Sequence, residues 1–259
     1  LINGTSSLYV ERSGQLVVEA NPFCDQQSIL DLIERLLIPV GKRIDAAHPY
    51  VDGRLVNGSR FHIILTPIAI EGPLISIRKM RAPEKVELAS FGKAEVITWL
   101  KGQVTERKNI LIAGSTGTGK TTLLSRCLDL VSPQERLVII EETREIRTLH
   151  PHTVHLEARV ANPEGHGEVT LRTLVRNSLR MRPDRIVVGE VRGEEAFELL
   201  QAMNTGHKGT LGTIHANSAL DALRRLESLA IMIGYNLPLK VIREWIGSSL
   251  EAVVFLDRC

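Results

Sequence analysis

The chain has 259 residues, 43% of them hydrophobic and 24% charged, with 32 basic against 30 acidic side chains for a net charge of +2. These proportions fit a soluble globular protein of one large or two smaller domains with a sizeable core. They announce neither a nucleic-acid surface nor an anionic-membrane surface. The longest apolar runs, such as Ile63–Ile70, are far too short to span a bilayer, and no signal peptide opens the chain. Cys24, Cys127 and Cys259 lack metal-ligand spacing and read as the reduced thiols of a cytosolic protein. Leu1 and Cys259 both fall inside apolar patterns, as expected of a piece of a longer protein.

In chain order, SLYVERSGQLVVEANPF alternates apolar and polar residues about Ser13-Gly14 and predicts a β-hairpin. Ile29, Leu32, Ile33, Leu36 and Leu37 then fall at helical spacing, with Asp25 placed to cap the helix. YVDGRLVNGSRFHIILTP reads as hairpin strands joined by an Asn57-Gly58 turn, and GPLISIRKM as one more strand. Strand, helix and strands again make a small α+β domain, residues 1–81. The Pro-containing stretch Arg81–Ser90 marks the linker, placed at residues 82–92. From Asn109 short apolar runs alternate with helical segments. The runs are Ile110–Ala113, Leu137–Ile140, Arg185–Gly189 and Thr210–Ile214; the helices are Thr121–Leu130, Thr170–Arg180 and Glu194–Met203. This alternation predicts an α/β domain, residues 93–259 and cut short at its C-terminus, with a parallel sheet covered on both faces.

Gly114-Ser115-Thr116-Gly117-Thr118-Gly119-Lys120-Thr121, followed by Thr122, fits the phosphate-loop pattern G-x-x-x-x-G-K-[ST] in full, between a buried strand and an apolar helix. Glycines permit positive φ, so successive N–H groups turn inward on a phosphate, and the helix N-terminus adds its dipole. Lys120 would reach the β- and γ-phosphates, and Thr121 offers its hydroxyl to Mg²⁺. The bland alternative is a glycine-rich turn without a ligand; the complete motif in its context argues against it. No N-K-x-D stretch reads a guanine base. A strand between the phosphate loop and the acidic strand separates the pattern from small-molecule kinases, which leaves motor-like ATPases.

Two buried runs end in acids: LVIIEE in Glu141 and Glu142, and RIVVGE in Glu190. Ligands sit outside the carboxyl ends of such strands. One carboxylate would hold the Mg²⁺ water shell and another would orient and deprotonate the attacking water. A single acid at a strand end is commonly only solvated; two on the expected strands favour function. Gly189 stands where an ordinary acidic strand carries Asp. A third run, GTLGTIHANS, ends at His215, placed to hydrogen-bond toward a γ-phosphate. Taken alone, that histidine reads better as a satisfied loop residue.

Together GSTGTGKTT, IIEET, RNSLRMRPDRIVVGEVRGEEAFELLQAMNTGHKGTLGTIHANS and DALRRLE resemble the type II/type IV secretion ATPase superfamily of the GspE/PulE type. The long central run is most similar to the CpaF/TadA branch, which powers tight-adherence pilus assembly; conjugation and type IV secretion ATPases are near neighbours. LYVERSGQL and GSRFHIILTPIAIEGPLISIRKM resemble the family's N-terminal domain, so nearly the whole chain is covered. The resemblance implies a hexameric ring of RecA-like P-loop ATPase domains, each carrying a smaller PAS-like α+β domain on a flexible linker, with ATP and Mg²⁺ as ligands. It implies Walker A roles for Lys120 and Thr121, and water activation by Glu141 as first acid of the family's Asp box. It implies an atypical Walker B role for Glu190, holding Mg²⁺ through water, which accounts for Gly189, and a His box role for His215. Glu142 stands where the family usually has Asp, so the division of labour between Glu141 and Glu142 stays open. Arg60 of GSRF and Arg78 of SIRK match N-terminal-domain arginines that reach the phosphates. A guanidinium fork suits developing phosphate charge, although from the residues alone both are ordinary strand arginines. The implied partners are further copies in a homo-hexamer and the inner-membrane platform proteins of a pilus or secretion machine. The implied location is cytoplasmic, peripheral at the inner membrane through those partners, with no direct nucleic-acid contact and no transmembrane segment.

Other features read blandly. His150, His152 and His155 of HPHTVH suggest an exposed strand start rather than a metal site. Arg172, Arg176 and Arg180 share one helix face that, with Arg182 and Arg185 near it, reads as a subunit interface or a solvated surface. Cys127 in the helix after the phosphate loop reads as a small buried hydrophobe. A RecA- or helicase-type nucleic-acid motor would need a basic channel or stacking platforms, for which 4% aromatic residues and near-neutral charge give little. A nucleotide-binding regulator without turnover is argued against by the two acidic strand ends.

Overall fold

The computed structural model describes all residues except 13, 80–85, 163–164, 233–236 and 258–259. Ser13 of the first predicted turn, residues 82–85 of the predicted linker and Cys259 therefore lie outside the described residues. The chain divides into two compact units, Leu1–Glu84 and Lys85–Cys259.

The first unit contains strands β1 (Ile2–Asn3), β2 (Ser7–Arg12) and β3 (Gln15–Glu19), helix α1 (Gln26–Leu37), and strands β4 (Tyr50–Arg54), β5 (Arg60–Ile64) and β6 (Leu74–Arg78). The strands form one antiparallel sheet in the order β3-β2-β1-β6-β5-β4. The two-residue β1, for which the sequence carries no local signal, ties the first hairpin to β6. Asp25 caps α1 by accepting the Ser28 N–H at 2.8 Å, and that bond holds its carboxyl below the usual value. The helix buries Ile29, Ile33 and Leu37 against Phe61, Ile63 and Ile75 of the sheet. Along β5, Phe61 and Ile63 face that core while Arg60, His62 and Ile64 take the other face, the period of two expected of a half-buried strand. Gly58, with φ +85°, makes the expected tight turn between β4 and β5. Gly53 is required for a different reason: the Phe61 ring lies over it, 2.0 Å from where a Cβ would stand.

The second unit contains α2 (Ala94–Thr105), β7 (Ile110–Gly114), α3 (Lys120–Leu128), β8 (Leu137–Glu141), β9 (Thr153–Glu157), α4 (Leu171–Ser178), β10 (Arg185–Val191), α5 (Glu195–Asn204), β11 (Leu211–His215), α6 (Ala219–Ile231), α7 (Leu239–Ser249) and β12 (Ala252–Leu256). Its sheet runs β12-β7-β11-β10-β8-β9, every neighbouring pair parallel. The predicted α/β class and parallel sheet are thus present, and β11 stands between β7 and β10 as the extra strand. Buried clusters lie on both faces, one including Leu123, Leu124 and Leu128 of α3, the other Leu199 and Leu200 of α5 and Leu226 of α6. The strands run one or two residues past their predicted ends, to Gly114, Glu141, Val191 and His215, because parallel neighbours continue the ladder there. Two of the three predicted helices are shorter: α3 and α4 stop at Leu128 and Ser178, so Arg180 is not on a helix face with Arg172. Helices α2, α6 and α7 and strand β12 carried no sequence expectation. Among the described residues no helix is long and apolar enough to cross a membrane.

Several bland expectations are corrected by burial. Arg185 is no surface arginine: it is 1% exposed, forks onto Glu135 at 2.8 and 3.0 Å, and donates to the Val104 carbonyl at 2.7 Å. Burial works against the Glu135 carboxylate, but the Arg185 hydrogen bonds and charge outweigh it, so its carboxyl lies below the usual value. Arg172 turns inward to Glu194 and Glu198, each at 3.0 Å, while Arg176 stays exposed. His150 is buried rather than at an exposed strand start, with Nε2 on the Ser132 carbonyl at 2.9 Å. Cys127 is fully buried as expected, and burial pushes its thiol up to about 12. In the folded protein at mildly alkaline pH, iodoacetamide should therefore label exposed Cys24 and spare Cys127, and denaturant should release Cys127 to labelling, as read by peptide mass spectrometry.

Candidate active site

The site begins where β7 ends. Gly114 has φ +156°, and a Cβ there would stand 2.6 Å from the Leu256 carbonyl of β12 and 2.7 Å from Thr118 Oγ1. Gly117 and Gly119 follow with φ of +74° and +93°, which turns the loop back to start α3 at Lys120. Gly119 is also confined by the Phe91 ring, 3.2 Å from where its Cβ would be. Phe91 ends the short 3-10 turn Leu88–Phe91 in the same unit, a contact with no counterpart in the sequence motif. Lys120 Nζ lies inside the loop, donating to the carbonyls of Gly114 at 2.9 Å and Ser115 at 2.8 Å. Burial lowers its ammonium from the usual value, and the charge of Glu190 opposes that shift. Thr121 and Thr122 follow in the first turn of α3.

The remaining strand ends arrive by register. His215 stands opposite Gly114 in the β11–β7 ladder, and Leu256 stands opposite it on the other side. Glu190 lies near the end of β10, close enough to Lys120 for the two charges to act on each other. Glu141 ends β8 and is 4% exposed. Its Oε1 accepts the N–H groups of Glu145 and Ile146, both at 2.8 Å, so the carboxylate pins the loop that leaves β8. Gly189 packs against it: a Cβ at 189 would stand 2.9 Å from Glu141 Cγ. This explains the missing Asp of the acidic strand in steric terms, since the space is filled by the neighbouring glutamate. Glu142 is half-exposed and ion-paired with Arg192, just beyond β10. Arg60 and Arg78 belong to the first unit, directly opposite each other on β5 and β6, and Arg54 of β4 stands opposite Arg60 in the same row.

The second unit therefore brings together the loop residues Gly114–Thr122 with Glu190 and His215, and sets Glu141 one strand further along. Sequence reasoning missed the contacts of Phe91, Arg192 and His155: Arg192 lies in the central run RIVVGEVRGEEAF and His155 in HPHTVH, but nothing local shows which neighbour each side chain meets. The fit to a nucleoside triphosphate rests on the loop itself. Its glycines hold positive φ, its lysine points inward, and a helix N-terminus faces the same opening. The fit to Mg²⁺ rests on a hydroxyl in the first helical turn together with an acid at the end of β10, the donor set of a cation that keeps most of its water.

A family model described as Type II/IV secretion system protein matches residues 1–257. A putative conjugal transfer protein of Mycobacterium tuberculosis is 43% identical over 265 residues, which cover 98% of this chain and 73% of that one. The conjugal transfer protein TrbB of Rhizobium radiobacter is 34% identical over 267 residues, covering 100% of this chain and 78% of that one. Among solved structures, the VirB11 ATPase of the Brucella suis type IV secretion system aligns with a TM-score of 0.55 at 26% identity, over 98% of this chain and 85% of that one. The RecA-like P-loop fold expected from the sequence is thereby shown. Gly189→Asp should place a side chain where Glu141 already packs, and urea denaturation should show a loss of about 1–3 kcal/mol, as for overpacking elsewhere.

Proposed function

The chain belongs to the type II/IV secretion system protein family, and from that we propose that it is a Mg²⁺-dependent, ATP-hydrolysing, hexameric motor of a conjugal transfer or type IV secretion machine. The observation that carries this reading is the complete phosphate loop at the shared edge of the parallel sheet, flanked by Glu190 and His215. The relatives named above support the conjugation and secretion reading. Tight-adherence pilus assembly is the second reading, and it rests on the central run from Arg176 to Ser218.

In this reading Lys120 would compensate the β- and γ-phosphates, and Thr121 and Glu190 would hold Mg²⁺. Mg²⁺, when bound, neutralises charge that builds on the phosphate oxygens. Glu141 activates the attacking water: its carboxylate is fixed by two backbone N–H groups, as a positioned base requires, whereas Glu142 is engaged by Arg192. His215 senses the γ-phosphate from the strand next to the loop. Arg60 and Arg78 of the first unit stabilise phosphate charge, so that ATP favours one arrangement of the two units over another; only such a difference lets hydrolysis move them. Copies assemble as a homo-hexamer on the cytoplasmic side of the inner membrane, held there by platform proteins, and the cargo is not nucleic acid bound directly by this chain.

Steady-state phosphate release from ATP, with and without single-stranded DNA, tests the reading. Lys120→Ala should abolish turnover, since it is the cation built into the loop. Glu190→Gln should still bind nucleotide but hydrolyse it slowly, because the amide keeps the shape and loses the charge. Wild-type release in Lys120→Ala would remove the loop from the mechanism, and strong stimulation by DNA would favour a nucleic-acid motor. Arg60→Ala and Arg78→Ala should slow turnover and leave the distance between paired spectroscopic labels on the two units unresponsive to ATP; a normal response would make them ordinary strand residues.

A further inference from the structure

β9 presents one side chain to the acid that ends its neighbour. His155 pairs in register with Ile139, two residues before Glu141 and on the same face of the sheet. Its Nδ1 lies 3.7 Å from Glu141 Oε2. That nitrogen is sealed from solvent and has no hydrogen-bond partner among the described residues. Buried polar atoms without a partner are uncommon enough to need an explanation. Glu141 supplies the complementary half. Its Oε1 is already taken by the N–H groups of Glu145 and Ile146, so Oε2 keeps the accepting capacity, and it faces the imidazole. On the β10 side the Glu141 side chain occupies the space beside Gly189, where a Cβ would stand 2.9 Å from its Cγ.

We propose that His155 is a positioning residue for ATP hydrolysis: its Nδ1 carries the proton and donates it to Oε2 of Glu141, fixing the plane of the carboxylate. One lone pair of Oε2 is then engaged and the other is directed at the attacking water. The proposal rests on the reading of Glu141 as the water-activating base. The distance of 3.7 Å is longer than a hydrogen bond, and a small rotation of either side chain closes it; such contacts are often long in free enzymes and tighten around substrate. A group that acts only by aiming another should affect the chemical step and leave ATP binding alone.

The experiment uses the whole chain and three substitutions, with kcat and KM for ATP from phosphate release and thermal unfolding as the check on folding. His155→Phe keeps bulk and removes the donor; His155→Asn puts an amide N–H near the place of Nδ1. The phenylalanine variant should lose about 10-fold or more in kcat with little change in KM, and the asparagine variant should retain most of it. In a Glu141→Gln background, His155→Phe should cost nothing further. Equal kcat in the phenylalanine and asparagine variants, or no loss in either, would overturn the proposal. Wild-type turnover in Glu141→Gln alone would instead remove the parent reading of Glu141. The contact itself is read separately by the ring ¹⁵N chemical shifts of His155. They should report a protonated Nδ1 in the wild type and move in Glu141→Gln; an unprotonated Nδ1, or shifts indifferent to residue 141, would also overturn it.

Discussion

Parallel hydrogen bonding in the second unit governs where Glu141, Glu190 and His215 stand. In the ladder β12-β7-β11-β10-β8-β9 all strands advance in one direction, so their carboxyl ends share one edge. Gly114 meets His215 on one side and Leu256 on the other, and Glu141 meets Glu157. Helices cover both faces, and β7 is buried along its whole length while β8 is buried to its final Glu141. A polar side chain buried midway would be costly, so the first economical place for one is the strand end. Sites in open parallel sheets lie at that edge for this reason.

Crowding at that edge then selects residue types that polarity alone would not. Gly114 is forced by the β12 backbone and by its own φ, Gly119 by φ and the Phe91 ring, and Gly189 by the Glu141 side chain. The last case matters chemically. The glycine that makes the acidic strand look incomplete is what lets Glu141 lie flat against β10, with its carboxylate tied to the following loop. Glu141 and Glu142 are neighbours in sequence but occupy opposite situations, one buried and pinned, the other half-exposed and paired with Arg192.

Charge is handled differently in the two units. In the second, the buried guanidinium of Arg185 has its counter-charge in Glu135 and a carbonyl from α2, so a costly group is fully engaged at the N-terminal end of β10. In the first, antiparallel register sets Arg54, Arg60 and Arg78 side by side on one face of β4, β5 and β6.

The sequence by itself determined the phosphate loop, the strand-helix alternation of the second unit, the hairpins and capped helix of the first, and which strand ends carry acids. Each of these is local: glycine dihedrals, hydrophobic period and capping are set by residues a few positions apart. It did not announce β1, β12 or the helices α2, α6 and α7, whose patterns become meaningful only once there is a surface to cover. Nor did it distinguish Glu141 from Glu142, give the steric reason for Gly189, or separate Arg185 from the exposed Arg176. His155, read as part of an exposed strand start, turned out to face a buried carboxylate. Those facts depend on which strand lies beside which and at what register. Pairings such as β10 with β8, or β7 with β12, join segments far apart in the chain, and no local pattern encodes the neighbour that a side chain will meet.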